Sequence, residues 1–273
     1  MTPEERLAAF AREVEIRRRA LPELQAEAAE HVIRLLEEAA REISLKLAGV
    51  PSEFEIWRLG QLRREVEILL AAFGEAAGLE AARAFDQALD AGAALVSEPL
   101  KAARLTLSGV APRLDPVLIA STRSFTIWRI NDLSTEARVR IETDLGLWMM
   151  GARSREETLK RLQTDLGGET RRRALTILNT ETARAHGLAA QKTLEASAKS
   201  VPALKKKWLR SGKARRRANH EAAHGQIRDV DKPFSIAGEL LMHPCDPQGS
   251  AENTVNCGCS SVPHLDLDAF LKE

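Results

Sequence analysis

The sequence predicts a mainly α protein: multi-helix N-terminal and central regions, then a small C-terminal α+β module. Three observations predict it. Apolar residues recur at helical spacing from the N-terminus to about Ala196. Capping-box starts punctuate that stretch at Thr2, Ser52 and Ser154. After Lys199 the pattern changes to short apolar runs split by Pro, Gly and Asp, and Cys245, Cys257 and Cys259, the three cysteines of the chain, fall there.

The elements follow in order. Thr2, Pro3 and Glu5 start a helix that carries Leu7, Phe10 and Val14, then Leu21, Leu24, Ala28, Val32, Leu35 and Leu36. Pro22 either kinks this stretch or separates a short first helix from a longer second one, and Gly49 and Pro51 end it. Ser52 and Glu55 open a helix through Trp57, Leu62, Val66, Leu69 and Phe73, which Gly74 and Gly78 weaken without ending. Pro99, Gly109, Pro112 and Pro116 mark a looser region and a boundary. Val117 to Ile130 reads as one helix, and Ser134 caps another with Ala137, Ile141, Leu145 and Trp148, stopped by Gly151. Ser154 and Glu157 open a short helix that ends at Gly167 and Gly168, and Glu169 to Ala196 is the last long one. The chain thus divides into residues 1–116, 117–198 and 199–273. Apolar stripes make the first region an expected oligomerisation or docking surface, burying partly against other subunits.

With 273 residues the chain can bury a core without disulfides. An odd number of cysteines argues against a disulfide framework and for a reducing compartment. No run is apolar enough to span a bilayer, and the N-terminus lacks the order of a secretory signal. Aromatic residues make up 4% with no tyrosine, which excludes extensive base-stacking surfaces. The net charge of +1 hides an asymmetry. Residues 1–100 hold 12 basic and 19 acidic side chains, residues 101–217 hold 25 and 11, and residues 218–273 hold 3 and 9. A basic middle between acidic ends points to different surfaces for different partners.

Four candidate sites emerge. Cys257 and Cys259 flank Gly258, and with Cys245 and either His220 or His243 they offer the four N and S ligands of a structural zinc. The alternative is free thiols, with Cys257 and Cys259 in a short strand facing one way. His220, Glu221 and His224 fit a His-Glu-x-x-His zinc metallopeptidase pattern, although the apolar helix such a site needs is missing. Lys199 to Arg217 carries nine basic residues and no acid. Its Lys205, Lys206, Lys207, Arg210, Lys213, Arg215, Arg216 and Arg217 are the candidates for DNA phosphate contact. An acidic protein partner, or an ordinary solvated face, would use the same charges. Finally, Glu181 and Arg184 lie three apart on a helix, a spacing that pairs them structurally. Trp208 reads as a core anchor.

Several stretches together carry a resemblance. "NDLSTEARVRIETDLGLWMMGARSREETLKRLQTDLG" is a helix, small-residue turn and helix. "LNTETARAHGLAAQ" holds Thr180, Glu181, Thr182, Ala183 and Arg184. "KKWLRSGKARRRANHEAAHGQ" holds Trp208, Arg217, His220 and Gly225. "KPFSI", "MHPCDPQG" and "NTVNCGCSSVP" follow in order. In this order they resemble the phage Mu F-like minor head protein family, over a little more than half of the chain. His243 and Cys245 stand where that family usually has an aromatic residue and a glycine, and Gly258 where it has arginine. The resemblance implies a non-enzymatic phage minor head protein that acts at the portal vertex in head morphogenesis and in DNA packaging or delivery. It implies a virion location after assembly in the host cytoplasm. It also implies partners among the portal protein, the major capsid protein, packaged double-stranded DNA and further copies of the chain.

Overall fold

The computed structural model describes residues 1–48, 57–105, 114–214 and 217–266, with Phe270. It is mainly α with a small strand-containing C-terminal module. The helices are α1 (Pro3–Arg17), α2 (Ala20–Ala48), α3 (Trp57–Ala102), α4 (Pro116–Met149), α5 (Arg155–Thr164) and α6 (Arg171–Ser197), with a π-helical segment at Asp165–Thr170. The module holds β1 (Leu204–Leu209), α7 (Ala218–Ala222), β2 (Ile227–Asp229), β3 (Phe234–Ile236), β4 (Glu239–Leu241), α8 (Ala251–Thr254) and β5 (Ser260–Leu265).

The helix starts behave as their side chains dictate. Thr2 and Glu5 exchange side-chain-to-backbone hydrogen bonds, and Ser154 and Glu157 do the same. The box at Ser52 lies outside the described residues, as do Gly49, Pro51, Gly109 and Pro112. Pro22 separates α1 from α2 and sits in the first turn of α2, where a missing N–H costs no helical bond.

Three expected breaks are absent. α3 runs through Pro99 to Ala102, because Leu95, Val96, Leu100 and Ala103 are all buried around it. α4 is one helix rather than two: Ser134 is buried inside it and donates to the Asn131 carbonyl at 2.7 Å instead of capping. Gly167 and Gly168 do not stop the chain either. Leu166 and Thr170 are fully buried on either side of them, and the backbone passes through as a π segment.

The described residues form two compact units, each assembled from separated stretches of the chain. One comprises Glu27–Arg83 and Thr122–Leu178. Its core is helical, with Val32, Leu36, Ile43, Val66, Leu70, Ile130 and Ile141 buried. Ion pairs between Arg138 and Glu67 and between Arg63 and Glu142 tie α3 to α4 at its surface.

The other comprises Met1–Ala26, Ala84–Ser121 and Asn179–Glu273. Its sheet is antiparallel in the order β2-β1-β5, with Lys206 opposite Pro263 and Arg228. β3 and β4 form a hairpin whose two turn residues, Ala237 and Gly238, both have positive φ, 50° and 86°. Phe10 of α1 joins Val96, Leu100, Ala190, Leu194, Leu204 and Leu265 in one core cluster. The apolar stripes of the N-terminal helices are therefore largely buried within the chain itself, at Phe10, Leu21, Ala28, Val32 and Leu36.

Candidate metal centre and basic surface

α6 is the rod on which the C-terminal module is mounted. Its Ala183, Ala185, Ala189 and Ala190 are buried on more than one side of the helix, so α6 is enclosed by the elements around it. Gly92 lets the α3 backbone approach so closely that a Cβ there would lie 2.2 Å from the His186 carbonyl oxygen. Glu181 is fully buried and accepts from Arg184 Nη1 at 3.0 Å, the structural pairing expected. Thr180 Oγ1 accepts from the backbone N–H of Asn256 at 2.9 Å, tying α6 directly to the cysteine loop. Asn256 itself has φ 53° and Cys245 φ 60°, so the loop holds two non-glycine residues in the left-handed region.

Trp208 is fully buried, as its anchor reading requires. Its ring meets Phe234 edge-on at 5.2 Å and His220 at 5.8 Å. That contact orients the His220 imidazole toward the loop. His220 Nδ1 lies 3.4 Å from Cys257 Sγ and 3.4 Å from Cys259 Sγ. The three ligand atoms lie within 4.8 Å of one another, and all three residues are buried. Cys257 and Cys259 precede β5 rather than sit in it, and their sulfurs converge because the backbone N–H of Cys259 folds back onto Cys257 Sγ at 3.5 Å. Cys245 is outside this group. Its thiol donates to the Cys257 carbonyl oxygen at 3.5 Å. The Cys245 and Cys259 thiols both hold Cys257 far below the usual thiol range, and their own values are pushed up in return. His243, the other histidine considered, points elsewhere: its Nδ1 lies 2.9 Å from the Pro244 carbonyl oxygen.

The protease arrangement is not formed. α7 ends at Ala222, before His224, whose Nδ1 accepts from the Arg210 N–H at 3.2 Å. Glu221 is half exposed and paired with Arg210 at 3.1 Å. His220 and His224 do not converge on a common point among the described residues.

The basic run is divided by strand alternation. Lys206 shares the inward face of β1 with Leu204 and Trp208 and is fully buried, so it cannot reach a phosphate. Its ammonium donates to Gln191 Oε1 at 3.0 Å and to the Met242 carbonyl at 2.9 Å. Burial pushes its pKa down to about 8. Lys205 and Lys207 face the other way, and Lys205 pairs with Asp266 at 2.9 Å. Arg210, Lys213 and Arg217 instead converge on a cavity of about 360 Å³ beside the cysteine cluster. There Lys213 donates to the Asn256 side chain at 2.9 Å and Arg217 to the Val255 carbonyl at 2.7 Å. Arg215 and Arg216 lie outside the described residues.

Sequence reasoning missed the buried polar cluster of Lys206, Gln191, His186 and His243. Its signal was available in the Leu204–Lys206–Trp208 alternation, which places a lysine on an apolar face.

Residues 140–262 match the family described as Phage Mu protein F like protein. Over 115 residues the chain is 38% identical to YqbB of Bacillus subtilis (strain 168), a protein described as uncharacterized; the match covers 41% of this chain and 35% of that one. The chain therefore spans about a third of the length of that curated relative. No solved structure matches it.

Proposed function

We propose, from the premise that the chain belongs to the Phage Mu F-like family through residues 140–262 and is a phage head morphogenesis protein, that it acts as a minor head protein at the portal vertex. The family match carries this reading. It covers the end of α4, all of α5 and α6 and the module into β5, and so takes in the residues of the cysteine loop and the cationic cavity.

Two surfaces support the finer role. Phe125 stacks on Trp128 at 5.7 Å on α4, and both rings are about half exposed. An exposed aromatic pair of this kind suits protein–protein contact with the portal or the major capsid protein. Arg210, Lys213 and Arg217 gather at one cavity and suit the phosphates of packaged double-stranded DNA. Among the described residues no helix is long and apolar enough to cross a membrane.

The test is co-elution of the full chain with its cognate portal on size exclusion, with Trp128→Ala as the surface variant. The reading expects co-elution of the wild type and weaker co-elution of the variant. A full chain that associates with neither portal nor assembled heads overturns it. Deleting residues 1–100 is not a clean version of this test, because Phe10, Val96 and Leu100 belong to the core that carries β1 and β5.

A further inference from the structure

We propose that His220, Cys257 and Cys259 bind one zinc ion, with its fourth coordination position open to the cationic cavity. This inference does not depend on the head role.

The geometry carries it. Tetrahedral zinc with a Zn–N bond near 2.0 Å and Zn–S bonds near 2.3 Å places neighbouring N and S ligand atoms about 3.5 Å apart. His220 Nδ1 lies 3.4 Å from each of the two sulfurs, so both N–S edges of that tetrahedron are already present. A network of protein hydrogen bonds does not account for the arrangement as well. A neutral imidazole nitrogen offers a single lone pair, and two thiols at equal distance compete for it. One cation between the three atoms satisfies all of them. The donor set, one imidazole and two thiolates, is of the kind zinc prefers over harder divalent ions.

The surroundings fit a metal as well. The indole Nε1 of Trp208 is buried without a hydrogen-bond partner among the described residues. A ring held on Trp208 and a loop held on Thr180 fix both halves of the ligand set before any ion arrives. At Gly258 the loop passes close to its neighbours: a Cβ there would lie 2.9 Å from Lys213 Cε, the end of a flexible side chain, and 3.0 Å from Ser211 Cβ. Cys245 is close to Cys257 but outside the group, and its thiol hydrogen-bonds the loop instead of completing the coordination sphere. The open side faces Arg210, Lys213 and Arg217, so the fourth ligand comes from solvent or from an incoming anionic group.

The experiment uses the reduced full chain and cobalt(II) as a spectroscopic stand-in for zinc. The wild type is expected to develop tetrahedral d–d bands and a thiolate-to-cobalt charge-transfer band that one equivalent of zinc abolishes. Metal analysis of the protein purified without chelator is expected to give one zinc per chain. Cys257→Ser and Cys259→Ser should each lose the charge-transfer band, and Cys245→Ser should keep it at full intensity. The wild-type spectrum stands whether or not a variant folds, and circular dichroism identifies any variant that does not. No charge-transfer band in the reduced wild type overturns the site. A band that survives Cys257→Ser, or one that Cys245→Ser abolishes in a folded protein, overturns the ligand assignment. A Cys257–Cys259 disulfide in freshly isolated protein does so too.

Discussion

Lys206 and His186 show how the chain treats charge in its interior. Lys206 donates to Gln191 and to the Met242 carbonyl and lies 5.0 Å over the Phe234 ring, so two neutral acceptors and an aromatic face hold its ammonium. Counting basic residues in the sequence concealed this; the two-residue period of β1 would have exposed it, because Leu204 and Trp208 on either side must face the core. His186 differs at one ring nitrogen. Its Nε2 is buried without a hydrogen bond, and burial, with a smaller contribution from His243, pushes its pKa down to about 4. The folded state therefore keeps it neutral while the unfolded chain takes up a proton below its ordinary 6.5. Its contribution is complete above that pH, falls as the pH drops toward 4, and changes no further below. That loss amounts to about 3 kcal/mol at most. Guanidinium melts from about pH 7 to about pH 4 should show it, and His186→Leu should flatten the dependence; an unchanged slope in the variant would contradict the assignment. At Thr180, substitution by valine removes the acceptor of the Asn256 N–H and should lower stability by about 1–2 kcal/mol in the same assay.

Helices and strands were legible in the sequence to different depths. The starts of α1 and α5 were readable because a capping box is a local arrangement of two side chains. Continuity was not. Nothing local to Ser134, Pro99 or Gly167 and Gly168 reveals that buried neighbours keep the helix running, since those neighbours belong to other elements. The convergence of His220 with Cys257 and Cys259 was half legible. The residue types were evident, but the choice of His220 over His243 and the exclusion of Cys245 depend on how α7 and the loop meet Trp208 and Thr180. The crossing of α3 and α6 is the sharpest element-level expectation. Gly92→Ala puts a methyl group 2.2 Å from a backbone oxygen that cannot move freely. We expect a loss of about 3 kcal/mol in chemical denaturation. Gly146→Ala, with nothing within 4 Å of its added Cβ, should be far milder, and equal effects at the two positions would contradict the packing described.

Across the whole chain, the acidic ends and basic middle turn into a more specific arrangement once the chain is folded. Strand alternation buries Lys206 and an ion pair with Asp266 engages Lys205, while Arg210, itself paired with Glu221, lies with Lys213 and Arg217 beside the cysteine loop. If duplex DNA docks there, log affinity against log salt is linear, and changing these three residues to alanine makes the slope shallower by about 0.9 for each phosphate left unneutralised. A slope that is flat in the wild type, or unchanged in the triple variant, excludes DNA from this surface and leaves an acidic protein partner. The resemblance to the family was readable from the order of six short stretches, which fall on α4 and α5, on α6, around Trp208 and among the short strands that follow. Location at the portal vertex is the central functional claim. Quantitative mass spectrometry of purified phage particles, before and after release of the portal vertex, tests it directly. A minor head protein seated there should be present in a few copies per filled head and should leave together with the portal. Its absence from heads, or a copy number matching the major capsid protein, would contradict that placement.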